Sequence, residues 1–433
     1  MLRQFSKRIN VNAIRARDFA QLILFRASSS DIDKDKFEVK INQTNETFEL
    51  YEKKVNIASG KLKKFEFPFV YLRDNCQCEF CYHAQSSSRT LSWENFDVSI
   101  KPKNFLFDDS RNVLKVIWND NEQHTSEYDY EWLKARNFSI ENREHYLKTF
   151  YRPDKKLWTK NNFKSILQNF DFMKIIETDH ELYDWLNCLA IHGVAIIKNT
   201  PQTENEIRRI AERVGFIRRT HYGEDFTVKA KEGASNVAYL TAPLQMHADL
   251  PYYHHAPGVN ILHCLVQSKS KGAENLLTDG FQIVNIMKQD HPEEFEALSK
   301  ILVNWYDVGK EESGPPFHSI LRAPMFCFDY ENKIERINHS IPQRDSFFTA
   351  SVEDVKRWYK ALAKFIELIH REAVEFKTEE GTILSFDNSR LLHGRKQYED
   401  SAGNYRHLVG AYLDWDEIYS RLRVLQKELK KKY

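Results

Sequence analysis

His247-Ala248-Asp249, with His393 far downstream, could hold a metal ion. Two imidazoles and one carboxylate suit a metal such as Fe(II) that must keep coordination positions open. In the 2-His-1-carboxylate facial triad, three protein ligands leave one face of the metal free for substrate and O₂. Arg406 follows His393 by thirteen residues. A fixed cation there could hold the far carboxylate of a 2-oxo acid bound to the metal. An isolated H-x-D pair usually belongs to a turn or the surface. The weight therefore rests on the distant histidine, its strand–loop setting, and the arginine behind it.

A second cluster is Cys76-Gln77-Cys78-Glu79-Phe80-Cys81, three thiols within six residues. Such spacing needs a tight turn folded round one centre. Thiolates favour Zn²⁺, and structural zinc is four-coordinate, so a fourth ligand must come from elsewhere. His83 is near but would crowd the turn. The competing reading is three free thiols in a loop, an oxidation hazard. Cys188, Cys264 and Cys327 are isolated. A disulfide framework would spread its cysteines, so the pattern fits a reducing compartment with one metal site.

The elements that must position these groups can be read from periodicity. Residues 36–135 show short strands with turns, including runs at Phe65 to Leu72 and Val113 to Trp118, and a helix at Glu127 to Lys134. This reads as a small β domain. Residues 136–171 are polar and aromatic and read as a connecting segment. Residues 172–433 carry the metal trio. Leu182, Trp185, Leu186 and Leu189 fall at helical spacing, His192-Gly193 stops that helix, and Val194 to Ile197 is a buried strand. Glu204 to Val214 and Gln282 to Ile301 are expected helices. Val259 to Val266, Thr382 to Phe386 and Arg406 to Leu413 are expected strands. Ser351 opens a helix in which Val355, Trp358, Tyr359, Leu362, Phe365, Ile366 and Ile369 repeat at core spacing. Glu417 to Lys432 reads as a terminal amphipathic helix. Short strands interrupted by helices, with metal ligands at strand ends, predict a mainly β protein: a double-stranded β-helix (jelly roll) catalytic domain and a small N-terminal β zinc domain. Strands and helices do not alternate regularly enough for a parallel βαβ fold.

Composition narrows the function classes. The 433 residues are 42% hydrophobic and 29% charged, with 63 basic against 62 acidic side chains and a net charge of +1. That balance gives no support to nucleic-acid binding. No apolar run approaches the roughly 18–20 residues needed to span a bilayer. In residues 1–30, Arg3, Lys7, Arg8, Arg15, Arg17 and Arg26 stand against the single acid Asp18, and Ser28 to Ser30 follow. That composition predicts a mitochondrial targeting arm, with a mature chain starting near Asp31. A plain basic arm on a cytoplasmic protein is the alternative.

Five stretches carry a family resemblance: Asn236-Val237-Ala238-Tyr239, His247-Ala248-Asp249, His254-His255-Ala256-Pro257-Gly258-Val259, Leu262-His263-Cys264 and Arg390-Leu391-Leu392-His393-Gly394-Arg395. From about Tyr71 to Leu425 the chain resembles the γ-butyrobetaine dioxygenase and trimethyllysine dioxygenase family, and more closely its γ-butyrobetaine branch. The resemblance implies Fe(II), a structural Zn(II), 2-oxoglutarate as co-substrate, ascorbate as reductant, and a homodimer. It implies iron ligands His247, Asp249 and His393, and zinc ligands Cys76, Cys78, Cys81 and the distal His124. It places 2-oxoglutarate on Arg406 and Asn275. It implies an aromatic cage of Tyr222, Phe226 and Tyr239 for a small quaternary-ammonium substrate, with Asn236, Ser340 and Tyr412 at other pocket positions. The implied activity is hydroxylation of γ-butyrobetaine to L-carnitine, coupled to decarboxylation of 2-oxoglutarate.

The chain departs from the γ-butyrobetaine pattern around the substrate. Phe226 stands where Trp is usual, Leu250 where Tyr is found, Ser340 in place of Asn, and Gly272-Ala273-Glu274-Asn275 at the co-substrate turn. These changes leave open N6-trimethyllysine or another small quaternary-ammonium acid as substrate. A catalytically dead, zinc-stapled binding protein is the non-enzyme alternative. The intact trio and Arg406 speak against it.

Overall fold

The computed structural model describes residues 37–52, 63–120, 122–230, 240–310, 314–401 and 403–429. The proposed targeting arm and the pocket candidates Asn236 and Tyr239 lie outside the described residues. The chain divides into two compact units, Met1–Tyr146 and Leu147–Tyr433.

The first unit contains two three-stranded antiparallel sheets, Phe37–Asn42, Thr47–Glu52, Lys63–Pro68 and Pro102–Asp108, Val113–Trp118, Thr125–Asp129. Alternation in Val113–Trp118 turns Leu114, Val116 and Trp118 into the core beside Phe48, Phe67 and Tyr128. The run expected as one strand from Phe65 to Leu72 changes type at Pro68. A helix, Phe69–Asp74, starts there and buries Phe69 and Leu72 at i, i+3. Proline fixes its own φ and is tolerated at such a junction. The helix expected at Glu127 to Lys134 begins later, at Tyr130. Ser126 and Tyr128 are buried alternately in the preceding strand, and the Asp129 carboxylate caps the helix by accepting from the Glu131 and Trp132 amides.

In the second unit a six-stranded sheet runs Asp225–Lys229, His407–Leu413, Val259–Val266, Thr382–Asp387, Val194–Lys198, Asn169–Asp171. A four-stranded sheet runs Leu244–His247, Leu391–Arg395, Asn275–Asp279, Val374–Phe376. All neighbours are antiparallel except Val194–Lys198 with Asn169–Asp171. This is the jelly-roll arrangement. The helix Asp179–His192 packs Leu182, Trp185, Leu186 and Leu189 on the larger sheet and ends at Gly193, whose φ of 78° suits glycine. Ser351 caps Val352–Arg371 through the Asp354 amide.

Two readings change in this unit. The single helix expected from Gln282 to Ile301 is two, Gly280–Asp290 and Pro292–Lys300. Pro292 has no amide hydrogen to continue the first helix, but it suits the first turn of the second. Within 136–171, Trp158 and Phe163 are buried with Leu384, Phe386 and Leu391. Each such side chain contributes roughly 1.5–3 kcal/mol, so this stretch is core as well as connection. Among the described residues no helix is long and apolar enough to cross a membrane.

Candidate active site

Strand register brings the metal trio together. His247, the last residue of its strand, is the direct cross-strand partner of His393, and their rings stand 4.3 Å apart. Gly394 permits this pairing: a Cβ there would lie 2.6 Å from the Leu244 carbonyl oxygen. Asp249 Oδ1 lies 3.1 Å from Nε2 of His247 and 3.5 Å from Nε2 of His393. Ligand bonds of about 2.1 Å set at right angles would put donor atoms about 3 Å apart, so the trio fits one face of a metal. His247 Nδ1 bonds the Gln245 carbonyl at 2.8 Å, which turns Nε2 toward the shared centre. Burial lowers the His393 pKa to about 4, leaving a neutral imidazole with a lone pair to offer.

Several residues that sequence reasoning missed hold Asp249. Asn388 brackets its backbone, accepting from the Asp249 amide at 2.8 Å and donating to its carbonyl at 3.0 Å. Asn260 donates to Oδ2. The one signal was an asparagine in the mainly apolar strand Val259–Val266, whose other polar residue is His263. The loop carrying Asn388 is pinned by the Asp279–Arg390 pair, with both side chains fully buried. Asp279 also accepts the Trp158 amide, and Arg390 donates to the carbonyls of Lys156 and Ile191.

Arg406 is 4% exposed, and its Nε has no hydrogen-bond partner among the described residues. Burial and the neighbouring Arg395 charge lower its pKa to about 10. Its charged neighbour is Arg395, with Cys264 and Tyr398 nearby. A buried guanidinium without a counter-charge among the described residues fits an arriving anion. Asn275, the other candidate for the co-substrate, already donates its side-chain amide to Thr378 Oγ1.

Of the pocket candidates, Phe226 and Tyr412 form the closer described pair, 5.0 Å between ring centroids; Tyr222 is 6.4 Å from Phe226. The Phe226 ring lies on Gly410, where a Cβ would approach it to 2.4 Å. Tyr412, expected against substrate, also donates its hydroxyl to Asp249 Oδ2. Ser340 is buried and its Oγ has no partner among the described residues.

In the first unit, His124 Nε2 lies 3.3, 3.6 and 3.6 Å from the sulfurs of Cys76, Cys78 and Cys81. A tetrahedral zinc with Zn–S near 2.3 Å and Zn–N near 2.0 Å would separate sulfur and nitrogen by about 3.5 Å. The Cys78–Cys81 turn is closed by amide bonds from Cys81 and Tyr82 to the Cys78 carbonyl. Burial pushes the Cys81 thiol up to about 12, so a cation would be needed to hold the cluster as thiolates. His83 lies outside the cluster and bonds Ser86 instead.

Comparison with known proteins decides the family. Residues 155–412 match the taurine catabolism dioxygenase TauD, TfdA family, and residues 48–134 match the gamma-butyrobetaine hydroxylase-like, N-terminal family. The chain belongs to the TauD, TfdA dioxygenases. Gamma-butyrobetaine dioxygenase of Homo sapiens is 35% identical over 365 residues, 84% of this chain and 92% of that one. Mitochondrial trimethyllysine dioxygenase of Mus musculus is 30% identical over 366 residues, 83% of this chain and 82% of that one. Among solved structures, an asparagine oxygenase in complex with Fe(II), 2S,3S-3-hydroxyasparagine and succinate superposes with a TM-score of 0.43 and 13% identity, over 57% of this chain and 93% of that one. A likeness that distant says nothing about substrate. This TauD, TfdA dioxygenase is a 2-oxoglutarate-dependent enzyme that uses Fe(II).

Proposed function

We propose that this dioxygenase hydroxylates γ-butyrobetaine at C3 to give L-carnitine, with His247, Asp249 and His393 as the Fe(II) ligands. The observation that carries the substrate is the 35% identity to gamma-butyrobetaine dioxygenase across 84% of the chain. The trio's donor spacing supports the iron assignment. Iron, once bound, activates O₂ while 2-oxoglutarate is converted to succinate and CO₂. The chain's own residues bind, aim and exclude. Arg406 holds the outer carboxylate of 2-oxoglutarate, with Asn275 beside it. Tyr222, Phe226 and Tyr239 present ring faces to the trimethylammonium, which cannot donate hydrogen bonds. Each such face contributes roughly 0.5–2 kcal/mol. Asn236, Ser340 and Tyr412 border the rest of the substrate.

Cys76, Cys78, Cys81 and His124 hold a structural zinc in this reading. Ascorbate as reductant and a homodimer follow from the family resemblance. The arginine-rich first thirty residues support a mitochondrial location, and trimethyllysine relatives are named as mitochondrial. A substrate panel read by succinate release and product mass tests the proposal. γ-Butyrobetaine should be hydroxylated, and its dimethyl analogue should be clearly poorer. Turnover of N6-trimethyllysine instead, or equal turnover of the trimethyl and dimethyl compounds, would move the assignment to another substrate.

A further inference from the structure

The structure treats the two carboxylate oxygens of Asp249 differently. Oδ1 faces the two histidines, while Oδ2 accepts two hydrogen bonds, from Asn260 Nδ2 at 2.6 Å and from the Tyr412 hydroxyl at 3.0 Å. The two donors are direct partners across Val259–Val266 and His407–Leu413. Their spacing is therefore set by the sheet and not by loose side chains. The backbone is held as well. Asn388 brackets Asp249 and also donates to the Pro257 carbonyl at 3.0 Å. Leu250, the next residue, has a φ of +53° and is buried. A leucine in the left-handed region costs about 1–2 kcal/mol, and the packing round it keeps the turn in place.

A carboxylate can bind a metal through one oxygen or through both. Binding through both would occupy a position that the trio otherwise leaves to co-substrate and O₂. Hydrogen bonds from an amide and a phenol take up lone pairs on Oδ2 that a second metal bond would need. We propose that Asn260 and Tyr412 confine Asp249 to ligation through Oδ1 alone, and so keep one metal position open for O₂. This rests on the reading of the trio as the iron site. Tyr412 is then a positioning residue with two faces: its ring packs near Phe226 in the candidate substrate pocket, and its hydroxyl orients the metal carboxylate.

The test uses the full chain with the cysteine cluster left zinc-loaded and only the trio emptied and reloaded, and it needs no hydroxylation substrate, only 2-oxoglutarate. Tyr412→Phe removes one hydroxyl and keeps the ring; Asn260→Ala removes the other donor. Co(II) is the probe of coordination number, through its visible absorption. Anaerobic Fe(II) with 2-oxoglutarate gives a charge-transfer absorption whose loss after O₂ is admitted times the oxygen reaction. In Tyr412→Phe the Co(II) spectrum should change, 2-oxoglutarate affinity should stay within about twofold, and the oxygen reaction should slow by about 10–100-fold, as for residues that orient metal ligands. A merely structural role would lower the melting temperature and leave the Co(II) spectrum unchanged. A folded Tyr412→Phe protein with wild-type Co(II) spectrum and oxygen rate would overturn the proposal, whether or not Asn260→Ala folds. A wild-type protein that binds neither Co(II) nor Fe(II) at the trio would overturn the iron reading and the proposal together. Failure of γ-butyrobetaine as substrate leaves every one of these readouts in force.

Discussion

Arg406 is where a single side chain carries the most consequence. Its guanidinium is buried beside Arg395, so an incoming dianion would relieve two positive charges at once. Arg406→Met removes the fork that would hold the outer carboxylate of 2-oxoglutarate. A charge-assisted pair is worth roughly 1.5–3 kcal/mol, so the 2-oxoglutarate KM should rise by about tenfold or more. Steady-state kinetics at saturating iron checks this, and an unchanged KM means that the arginine serves another purpose. The proposed zinc cluster, Cys76, Cys78, Cys81 and His124, is equally compact. In Cys78→Ser one of four donors is lost, and metal binding is linked to folding at such sites. Elemental analysis should find one zinc per wild-type chain and none in the variant, which should also melt earlier. A zinc-free wild-type protein that tolerates Cys78→Ser would leave only free thiols.

Elements place these side chains through register and through one buried electrostatic joint. The loop between Thr382–Asp387 and Leu391–Arg395 carries Asn388 toward Asp249. That loop is tied to the 155–158 stretch by Arg390, which donates to the Lys156 carbonyl and pairs with the Asp279 that accepts the Trp158 amide, and by Lys155 with Asp387 at 2.9 Å. Removing one member of a fully buried pair strands the other charge and typically costs about 3–5 kcal/mol. Arg390→Met should therefore destabilise the protein by about that much and loosen metal binding through Asn388. Urea unfolding with a parallel Co(II) titration measures both. A variant as stable as wild type would show that the joint is not what fixes the loop.

The whole molecule has a built-in sensitivity to acid. His263 is fully buried in Val259–Val266, and burial lowers its pKa from 6.5 to about 4 against the opposing pull of Glu206 and the Thr203 backbone. The unfolded chain takes up a proton near 6.5 while the folded one refuses it until about 4. Stability on this account is level above pH 6.5, falls as the pH drops toward 4, and levels again below. His263→Leu should remove that component. Its stability relative to wild type should improve steadily across this interval, toward about 3 kcal/mol. Denaturant unfolding at several pH values decides, and a pH-independent difference would mean that another group carries the acid limb.

The scarce, chemically distinctive residues of this chain were legible without coordinates. The trio, the three clustered cysteines and Arg406 declare themselves because few other roles need those types at those spacings. Strong local signals were also readable: Val259–Val266, the Ser351 cap and the stop at Gly193 follow from periodicity and backbone preference. Local readings failed where a proline falls inside an expected element, as at Pro68 and Pro292. What tertiary structure alone decided is which common residues serve the site. Asparagine and tyrosine occur everywhere, and nothing along the chain ties Asn260 to Asp249 or gives Tyr412, expected only against substrate, a bond to that carboxylate. They meet on Oδ2 of Asp249 because antiparallel register pairs them, just as register pairs His247 with His393. Register is set by packing across both sheets, and so the difference between the two oxygens of one carboxylate belongs to the fold.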